Sequence, residues 1–306
     1  MLTRYRSADA ALREMFGCKV YKLALSCAVT CPNRDGSAGT GGCIFCGESG
    51  SGEFAEICRS ESDVNEAIER AKARVSGKAH AEKYIAYFQS YTSTYMPVEK
   101  LRDVLLTAAD REDIAALSVA TRPDCLPADI TEVLREAISR KPLFVELGLQ
   151  TIREDTAKLI NRGYTLAVYD DAVIRLKSIG ANVITHIIVG LPGESKEDAV
   201  RSAAYAGRVS DGIKLQSLFV LRGTRLADMY ESGEYVPLTE NEYIDALCDC
   251  VKVIPKRVVL HRLTGDPPKR LLIAPLWTAD KKRVRAATAK AFEARNIIQG
   301  SESTDK

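Results

Sequence analysis

Three cysteines near the amino terminus, Cys31, Cys43 and Cys46, have a spacing that suits metal binding. Three such thiolates can hold three irons of a [4Fe–4S] cluster and leave the fourth iron open, whereas four protein ligands give a closed electron-transfer centre. Cys27 precedes Cys31 by four residues, so the full spacing is C-x3-C-x11-C-x2-C. A structural zinc site with four thiolates is therefore an alternative, and unliganded cysteines are a third possibility.

The residues around these cysteines favour a cluster. Backbone amides of a glycine-rich loop can approach the sulfurs of a cluster and donate hydrogen bonds to them. The loop follows the first predicted strand, a position that a structural zinc site has no reason to prefer. The glycines and proline of this loop are Pro32, Gly36, Gly39, Gly41, Gly42 and Gly47. The other cysteines lack ligand spacing and are expected to be core or surface thiols: Cys18, Cys58, Cys125, Cys248 and Cys250.

Composition limits the class of protein. The chain has 306 residues with 46% hydrophobic content, enough for one large or two small α/β domains. The first fifteen residues carry five charges, and no apolar run approaches the roughly 20 residues of a membrane span. We therefore expect a cytoplasmic protein without a signal peptide or a membrane partner. In a reducing cytosol, clustered cysteines bind metal more often than they form disulfides.

The charge is distributed unevenly. Residues 252–299 contain twelve Lys or Arg against three acids, a local charge of about +9, while the preceding residues sum to about −6. A basic carboxy-terminal segment on an acidic body suggests a polyanionic partner such as RNA. A solvated, charge-rich helix is the plainer alternative.

Strand-like and helix-like segments alternate along most of the chain. About six β/α units in a row predict a parallel sheet, and their number favours a partial (β/α)6 TIM-like barrel over an open Rossmann sheet. The predicted strands are 20–25, 84–89, 114–120, 143–149, 183–189 and 212–218. The predicted helices between and after them are 63–75, 97–108, 127–139, 166–178 and 196–209.

The pattern changes after residue 238. A helix over 240–253, short strands over 257–262 and 271–274, and a basic helix over 280–294 predict an α+β extension of the barrel. We therefore divide the chain into a core with the cysteine loop (1–238), a basic extension (239–300) and a disordered tail (301–306).

Polar residues follow several predicted strands. In such barrels the chemistry lies at the carboxyl ends of the strands. The polar residues near these ends are Gln89, Arg122, Asp124, Glu146, Gln150 and His186.

Taken together, the motifs resemble those of radical S-adenosylmethionine (SAM) enzymes, in the branch typified by bacterial YtqA and YhcC and related to the radical domain of Elongator. The resemblance covers nearly the whole chain in order, and an expanded first gap between the cysteines is typical of this branch. Cys27 falls where relatives carry another residue, which demotes it as a ligand. The matching segments are 31–36, 41–46, 50–52, 87–92, 120–127, 145–151, 161–163, 186–194 and 261–266.

The resemblance implies the cofactors. Cys31, Cys43 and Cys46 would hold a [4Fe–4S] cluster whose fourth iron binds SAM, and a 5′-deoxyadenosyl radical formed from SAM would abstract hydrogen from the substrate. A low-potential donor of the flavodoxin or ferredoxin type would supply the electron. The cofactor performs the difficult step, and the protein orients it and excludes water.

Several strand-end residues can bind SAM. Gln89 can accept from its ammonium group, and Arg122 can pair with its carboxylate. Glu146 and Gln150 suit a ribose diol, and the backbone around Gly190 can frame the adenine.

Each polar residue also has a structural alternative. Arg122 can form an ion pair with Asp124, and Glu146 can be a satisfied core carboxylate. His186 can form a core hydrogen bond or contact the substrate. The segment 261–266 can reach the barrel mouth or form a tight turn.

The leading functional hypothesis is a radical SAM enzyme that modifies the side chain of the tRNA wobble uridine, in the methylaminomethyluridine pathway associated with this branch. Basic residues of the last helix would hold the phosphates. One alternative is a radical SAM enzyme that acts on a small metabolite or peptide. Another is a zinc-stabilised RNA-binding protein without catalysis.

Overall fold

The computed structural model describes residues 4–50, 52–58, 63–77 and 81–305. Ten strands lie in these ranges. They are β1 (Val20–Ser26), β2 (Glu56–Ile57), β3 (Lys83–Phe88), β4 (Ile114–Thr121), β5 (Leu143–Gln150), β6 (Asn182–Val189), β7 (Gly212–Ser217), β8 (Val220–Leu221), β9 (Val259–Arg262) and β10 (Leu272–Ala274).

Eight of the strands form one parallel sheet in the order β2-β1-β3-β4-β5-β6-β7-β9. Six of them, β1 and β3 to β7, are the predicted barrel strands, and their ends differ from the prediction by one residue at most. The edge strands β2 and β9 do not pair with each other in the described part of the chain, so the barrel stays open on one side. The expected partial TIM-like barrel is confirmed.

Ten α-helices accompany the strands within the described residues. They are α1 (Ala8–Phe16), α2 (Val64–Val75), α3 (Val98–Ala109), α4 (Ala128–Arg140), α5 (Glu154–Leu159), α6 (Leu166–Ser178), α7 (Lys196–Val209), α8 (Arg225–Glu231), α9 (Glu240–Val253) and α10 (Lys281–Ala294).

Local sequence explains where the helices begin and end. Ser195 and Asp198 form a reciprocal capping box at the start of α7, which satisfies two of the amide groups that a helix start leaves unpaired. Pro97 directly precedes α3, where a missing N–H costs nothing. Gly180 follows α6 with φ +85°, a left-handed conformation that glycine adopts without steric cost.

The main core lies between the sheet and the outer helices. Strand residues such as Leu117 and Val145 pack there with helix residues such as Val104, Leu134 and Tyr169, all essentially buried. Each large apolar side chain buried in this way contributes roughly 1.5–3 kcal/mol. This layer holds the carboxyl ends of the strands in fixed positions, so the loops beyond them can form a defined site.

The carboxy-terminal extension belongs partly to the sheet. The strand β9 pairs in parallel with β7 and extends the sheet, while β10 pairs antiparallel with β8. Residues 301–305 lie against α9, where the Glu302 N–H donates to the Lys252 carbonyl at 2.9 Å. The division of the chain at residues 238 and 300 stays a prediction.

Candidate cofactor site

The three cysteines lie in the loop that leaves β1 at the carboxyl edge of the sheet. Cys31, Cys43 and Cys46 are partly buried, and they lie close enough that Cys31 and Cys46 raise the pKa of Cys43 and that Cys31 raises the pKa of Cys46. Cys27 instead lies in the main core, where its buried thiol neighbours that of Cys58. The structure therefore brings together the trio that the resemblance implied and places the fourth nearby cysteine in an apolar environment.

Two asparagines anchor the cysteine loop to the segment after α5. Asn161 Nδ2 donates to the carbonyls of Thr40 at 3.1 Å and Gly42 at 2.7 Å. In return, Asn33 Nδ2 donates to the Asn161 carbonyl at 2.6 Å. This clamp gives a structural role to residues 161–163, which the sequence identified only as a matching motif.

The surroundings of the thiols suit sulfur ligands with negative charge. Burial raises the pKa of Cys43 to about 12 and raises the pKa of Cys46. The charges of Arg122 and Arg34 oppose these shifts at Cys43 and Cys46, respectively. Asn33 Nδ2 also lies 3.9 Å from Cys43 Sγ. Because metal binding requires thiolates, cations and an amide donor at this loop fit an iron–sulfur cluster.

The spacing of the ligands bears on the zinc alternative. Among the described residues, no group of three His, Cys, Asp or Glu side chains is placed to hold a single metal ion. A tetrahedral zinc would draw four sulfurs to about 2.3 Å from one centre. A cluster spreads its thiolates over several irons, and a four-thiolate zinc site would need Cys27, which lies in the main core instead.

Arg122 forms the ion pair that the sequence left as its structural alternative. Its guanidinium donates to both carboxylate oxygens of Asp124 at 2.9 and 2.7 Å and to the Arg162 carbonyl at 2.9 Å. It also stacks on the Tyr164 ring at 4.8 Å. These partners hold Arg122 beside the thiols, and its predicted pairing with the SAM carboxylate stays a prediction.

Gln150 is the strand-end residue with an unused polar atom. Its Oε1 is buried and has no hydrogen-bond partner among the described residues, and its backbone has φ +68°. A buried acceptor without a partner costs roughly 1–3 kcal/mol, so Gln150 is a candidate to accept a hydrogen bond from a bound group. Within the part of the chain that the structure describes, the buried hydroxyls of Ser90 and Thr92 also lack partners. These groups at the cluster end of the barrel fit SAM.

Glu146 lies deeper in the barrel and is fully engaged. Its carboxylate accepts from Lys22 at 2.6 Å, Tyr87 at 2.7 Å and His186 at 2.9 Å, as well as from Ser118 and Lys214. With these partners it has the geometry of the satisfied core carboxylate. His186 forms the core hydrogen bond that was its alternative, although it also lines a cavity.

An inner cavity of about 180 Å³ connects the cysteine loop with this polar group. Phe45 and Gly47 line one end of it, and His186 and Lys214 line the other. Gln89 lies between them with a partly exposed side chain. The carbonyl of Gly190 accepts from Tyr235 at 2.9 Å, and the adenine contact predicted for the backbone around Gly190 stays a prediction.

Sequence reasoning missed several residues of this site. Lys22, Tyr87 and Lys214 stand in strands as isolated polar residues, and nothing local indicates that they meet. Arg162 is essentially buried and donates to the carbonyls of Leu149 at 3.1 Å and Thr151 at 2.7 Å. The inward alternation of strand residues was the only available signal, because period two places alternate residues on one face.

Comparison with known proteins identifies the family. The Radical SAM superfamily matches residues 30–206, and the Radical_SAM C-terminal domain matches residues 210–293. The chain belongs to the radical SAM superfamily. It is therefore a radical SAM enzyme, and its family implies SAM and an iron–sulfur cluster as cofactors.

Relatives refine this placement. Bacillus subtilis YtqA is 42% identical over 298 residues, which are 97% of this chain and 92% of YtqA. Escherichia coli YhcC is 34% identical over 88% of this chain and 86% of its own length. A tRNA uridine(34) acetyltransferase of Methanocaldococcus infernus is 30% identical over 58% of this chain, but over only 33% of its own length.

A solved structure confirms the fold. The archaeal Methanocaldococcus infernus Elp3 superposes with a TM-score of 0.70 and 20% identity, over 92% of this chain and 64% of that protein. This chain thus spans less than two thirds of that structure. None of the helices in the described ranges is long and apolar enough to cross a membrane.

Proposed function

We propose that this radical SAM enzyme modifies the side chain of the tRNA wobble uridine, in the methylaminomethyluridine pathway. The observation that carries the proposal is similarity to a protein named for tRNA uridine(34), over 58% of this chain. The acetyl transfer in that name is not carried over, because only a third of that relative is matched.

In this proposal the residues have distinct tasks. Cys31, Cys43 and Cys46 bind the cluster, and Asn33 and Arg34 support the charge on their sulfurs. Gln150 accepts from bound SAM, and Gln89 lines the space beside it. When bound, the cluster and SAM supply a radical able to remove a hydrogen atom from the substrate. A cytoplasmic flavodoxin- or ferredoxin-type protein provides the electron.

A basic surface supports a polyanionic substrate. Lys282 and Arg285 on α10 are exposed and form no ion pair in the described part of the chain, and they line a groove with Arg262. Arg262 also lines the inner cavity, so groove and cavity meet at β9. Two neighbouring cations are neutralised in surface ion pairs: Arg283 of α10 pairs with Glu240, and Arg295, which directly follows α10, pairs with Asp245.

The decisive experiment for the substrate is mass spectrometry of tRNA nucleosides from cells with and without the gene. We expect one wobble-uridine derivative to disappear or accumulate in the deletion strain. The wild-type gene should restore the normal profile, and a Cys43→Ala gene should not. Identical profiles with and without the gene would refute the tRNA proposal and favour a small metabolite or peptide substrate.

Binding of bulk tRNA tests the surface separately. Replacing Lys282 and Arg285 by Ala should weaken binding and lower the salt slope of log K by about 2, since each phosphate contact contributes about 0.9. Replacing Arg283 and Arg295 by Ala is the matched control with a smaller effect, because their charges are already paired. Equal effects of the two pairs would contradict this assignment.

A further inference from the structure

A layer of polar side chains crosses the interior of the barrel. Each of the six barrel strands contributes one member, and all gather around one carboxylate. Such interiors are usually filled by branched apolar residues, and burying charges costs several kcal/mol per ion before pairing. This cost indicates that the polar layer has a function. Its members are Lys22, Tyr87, Ser118, Glu146, His186 and Lys214.

The two lysines of this layer differ in placement. The side chain of Lys22 is 25% exposed, whereas that of Lys214 is only 6% exposed. Lys214 pairs with Glu146 and donates to the Tyr87 hydroxyl at 3.3 Å. Of the two, only Lys214 lines the inner cavity. Both lysines line a neighbouring groove beside β1.

The cavity gives Lys214 access to a bound substrate. Phe45 and Gly47 of the cysteine loop form its opposite end, with Gln89 between. A substrate that reaches the cofactor through this cavity extends towards Lys214. An ammonium has three donor hydrogens, and the described residues supply two partners, so one donor remains for a ligand.

The electrostatic surroundings allow Lys214 to change charge near neutral pH. Burial lowers the pKa of Lys214 to about 7; Glu146 opposes the shift, and Lys22 on β1 and Arg262 on β9 reinforce it. Burial also lowers the pKa of His186 to about 4 and raises the pKa of Tyr87 well above its usual value. Of these three side chains, Lys214 thus has the pKa closest to neutrality.

We propose that Lys214 contacts the substrate at the inner end of the cavity and exchanges a proton with it, with Glu146 as the fixed counter-charge. The proton leaves Nζ and bonds to a basic oxygen or nitrogen of the substrate, so that the Lys214 ammonium becomes a neutral amine. The reverse transfer restores the ammonium. The group placed there must therefore be able to take up or release a proton. This inference rests on the radical SAM site and not on the identity of the RNA.

Titration of the residue tests the inference without a substrate. Reconstituted protein labelled with carbon-13 at the lysine ε carbon is followed by NMR from pH 5 to pH 11. We expect one resonance with a midpoint near 7, absent in Lys214→Met and present in Lys22→Met. If the chemical shift of the Lys214 resonance did not change until about pH 10, as for an ordinary lysine, the proposal would be overturned.

Turnover provides the second test. Bulk tRNA from the deletion strain is incubated with reconstituted enzyme, SAM and reductant, and modified nucleoside is measured per 5′-deoxyadenosine formed. Lys214→Arg keeps the charge but cannot release the proton, so the ratio should fall about 100-fold and the inflection of the rate near pH 7 should vanish. Lys22→Arg should change the ratio much less.

The outcomes separate the two proposals. A Lys214→Arg enzyme with the wild-type ratio and pH profile would refute the role of Lys214. Wild-type enzyme that makes 5′-deoxyadenosine but leaves this tRNA unchanged would refute the tRNA function, and the NMR titration would still decide the role of Lys214.

Discussion

Gln150 is the residue that we expect to contact bound SAM most directly, because its buried Oε1 has no hydrogen-bond partner among the described residues. We expect Gln150→Leu to weaken SAM binding to the reconstituted protein about tenfold, since one lost hydrogen bond is worth about 1.4 kcal/mol. Asn182→Leu is a control at the other end of the barrel, where Asn182 begins β6. Unchanged SAM affinity in Gln150→Leu, measured by equilibrium dialysis, would remove Gln150 from the site.

His186 makes stability depend on pH. Burial lowers its pKa to about 4, so between about pH 6.5 and pH 4 the unfolded chain binds a proton that the native protein does not. The free energy of unfolding must then decrease as the pH falls through this window, by about 3 kcal/mol. In urea titrations His186→Gln should show a shallower fall than wild type, and equal slopes would count against the buried neutral imidazole.

At this scale the sequence predicted what is local. The cysteine trio and the Arg122–Asp124 pair lie within short segments. The cysteine spacing indicated metal binding but left zinc open, and the ion pair was one of the two roles expected for Arg122. The role of Glu146 depends on partners from five other strands, so it stayed open between ribose binding and core burial. Lys214 carries no motif, and only the three-dimensional fold brings it to Glu146.

Among the elements, the segment after α5 does the most to fix the cysteine loop. Asn161 has φ +53° and donates to two loop carbonyls, each bond worth about 1 kcal/mol. We expect Asn161→Gly, which suits the left-handed backbone, to keep the fold but reduce cluster content after anaerobic reconstitution. Iron analysis and circular dichroism measure the two effects.

Asn296 provides a matched control for that prediction. It also has a positive φ, +49°, but it follows α10, far along the chain from the cysteine loop. Asn296→Gly should leave the cluster content at the wild-type level. Full cluster content in Asn161→Gly would mean that the clamp is dispensable.

Long periodic elements and the short strands β9 and β10 could be predicted, whereas α1 and the shortest elements could not. The helices α6, α7 and α9 have the predicted ends, because each combines an apolar face with clear end signals. The short helices α5 and α8 and the two-residue strands β2 and β8 were missed, since so few residues show no period. That β9 joins the sheet beside β7 is a long-range pairing, which the local pattern does not contain.

For the whole molecule, the open barrel connects the basic groove beside α10 with the cavity that reaches the cysteine loop. The groove beside α10 meets the inner cavity at Arg262, and the cavity ends at the cysteine loop. A polyanion held outside could thus present one base to the cofactor, as RNA-binding proteins do with unstacked bases. The basic segment predicted from charge counting is real, but surface ion pairs neutralise part of it.

We propose that Cys31, Cys43 and Cys46 hold an iron–sulfur cluster that binds SAM. The most direct test of this proposal is anaerobic reconstitution with iron and sulfide, followed by iron analysis and measurement of 5′-deoxyadenosine made from SAM under reductant. Wild type and Cys27→Ala should bind about four irons per chain and make 5′-deoxyadenosine, whereas Cys46→Ala should lose this product. A colourless, zinc-loaded wild-type protein that makes none, or a Cys27→Ala protein that loses its metal, would contradict the account.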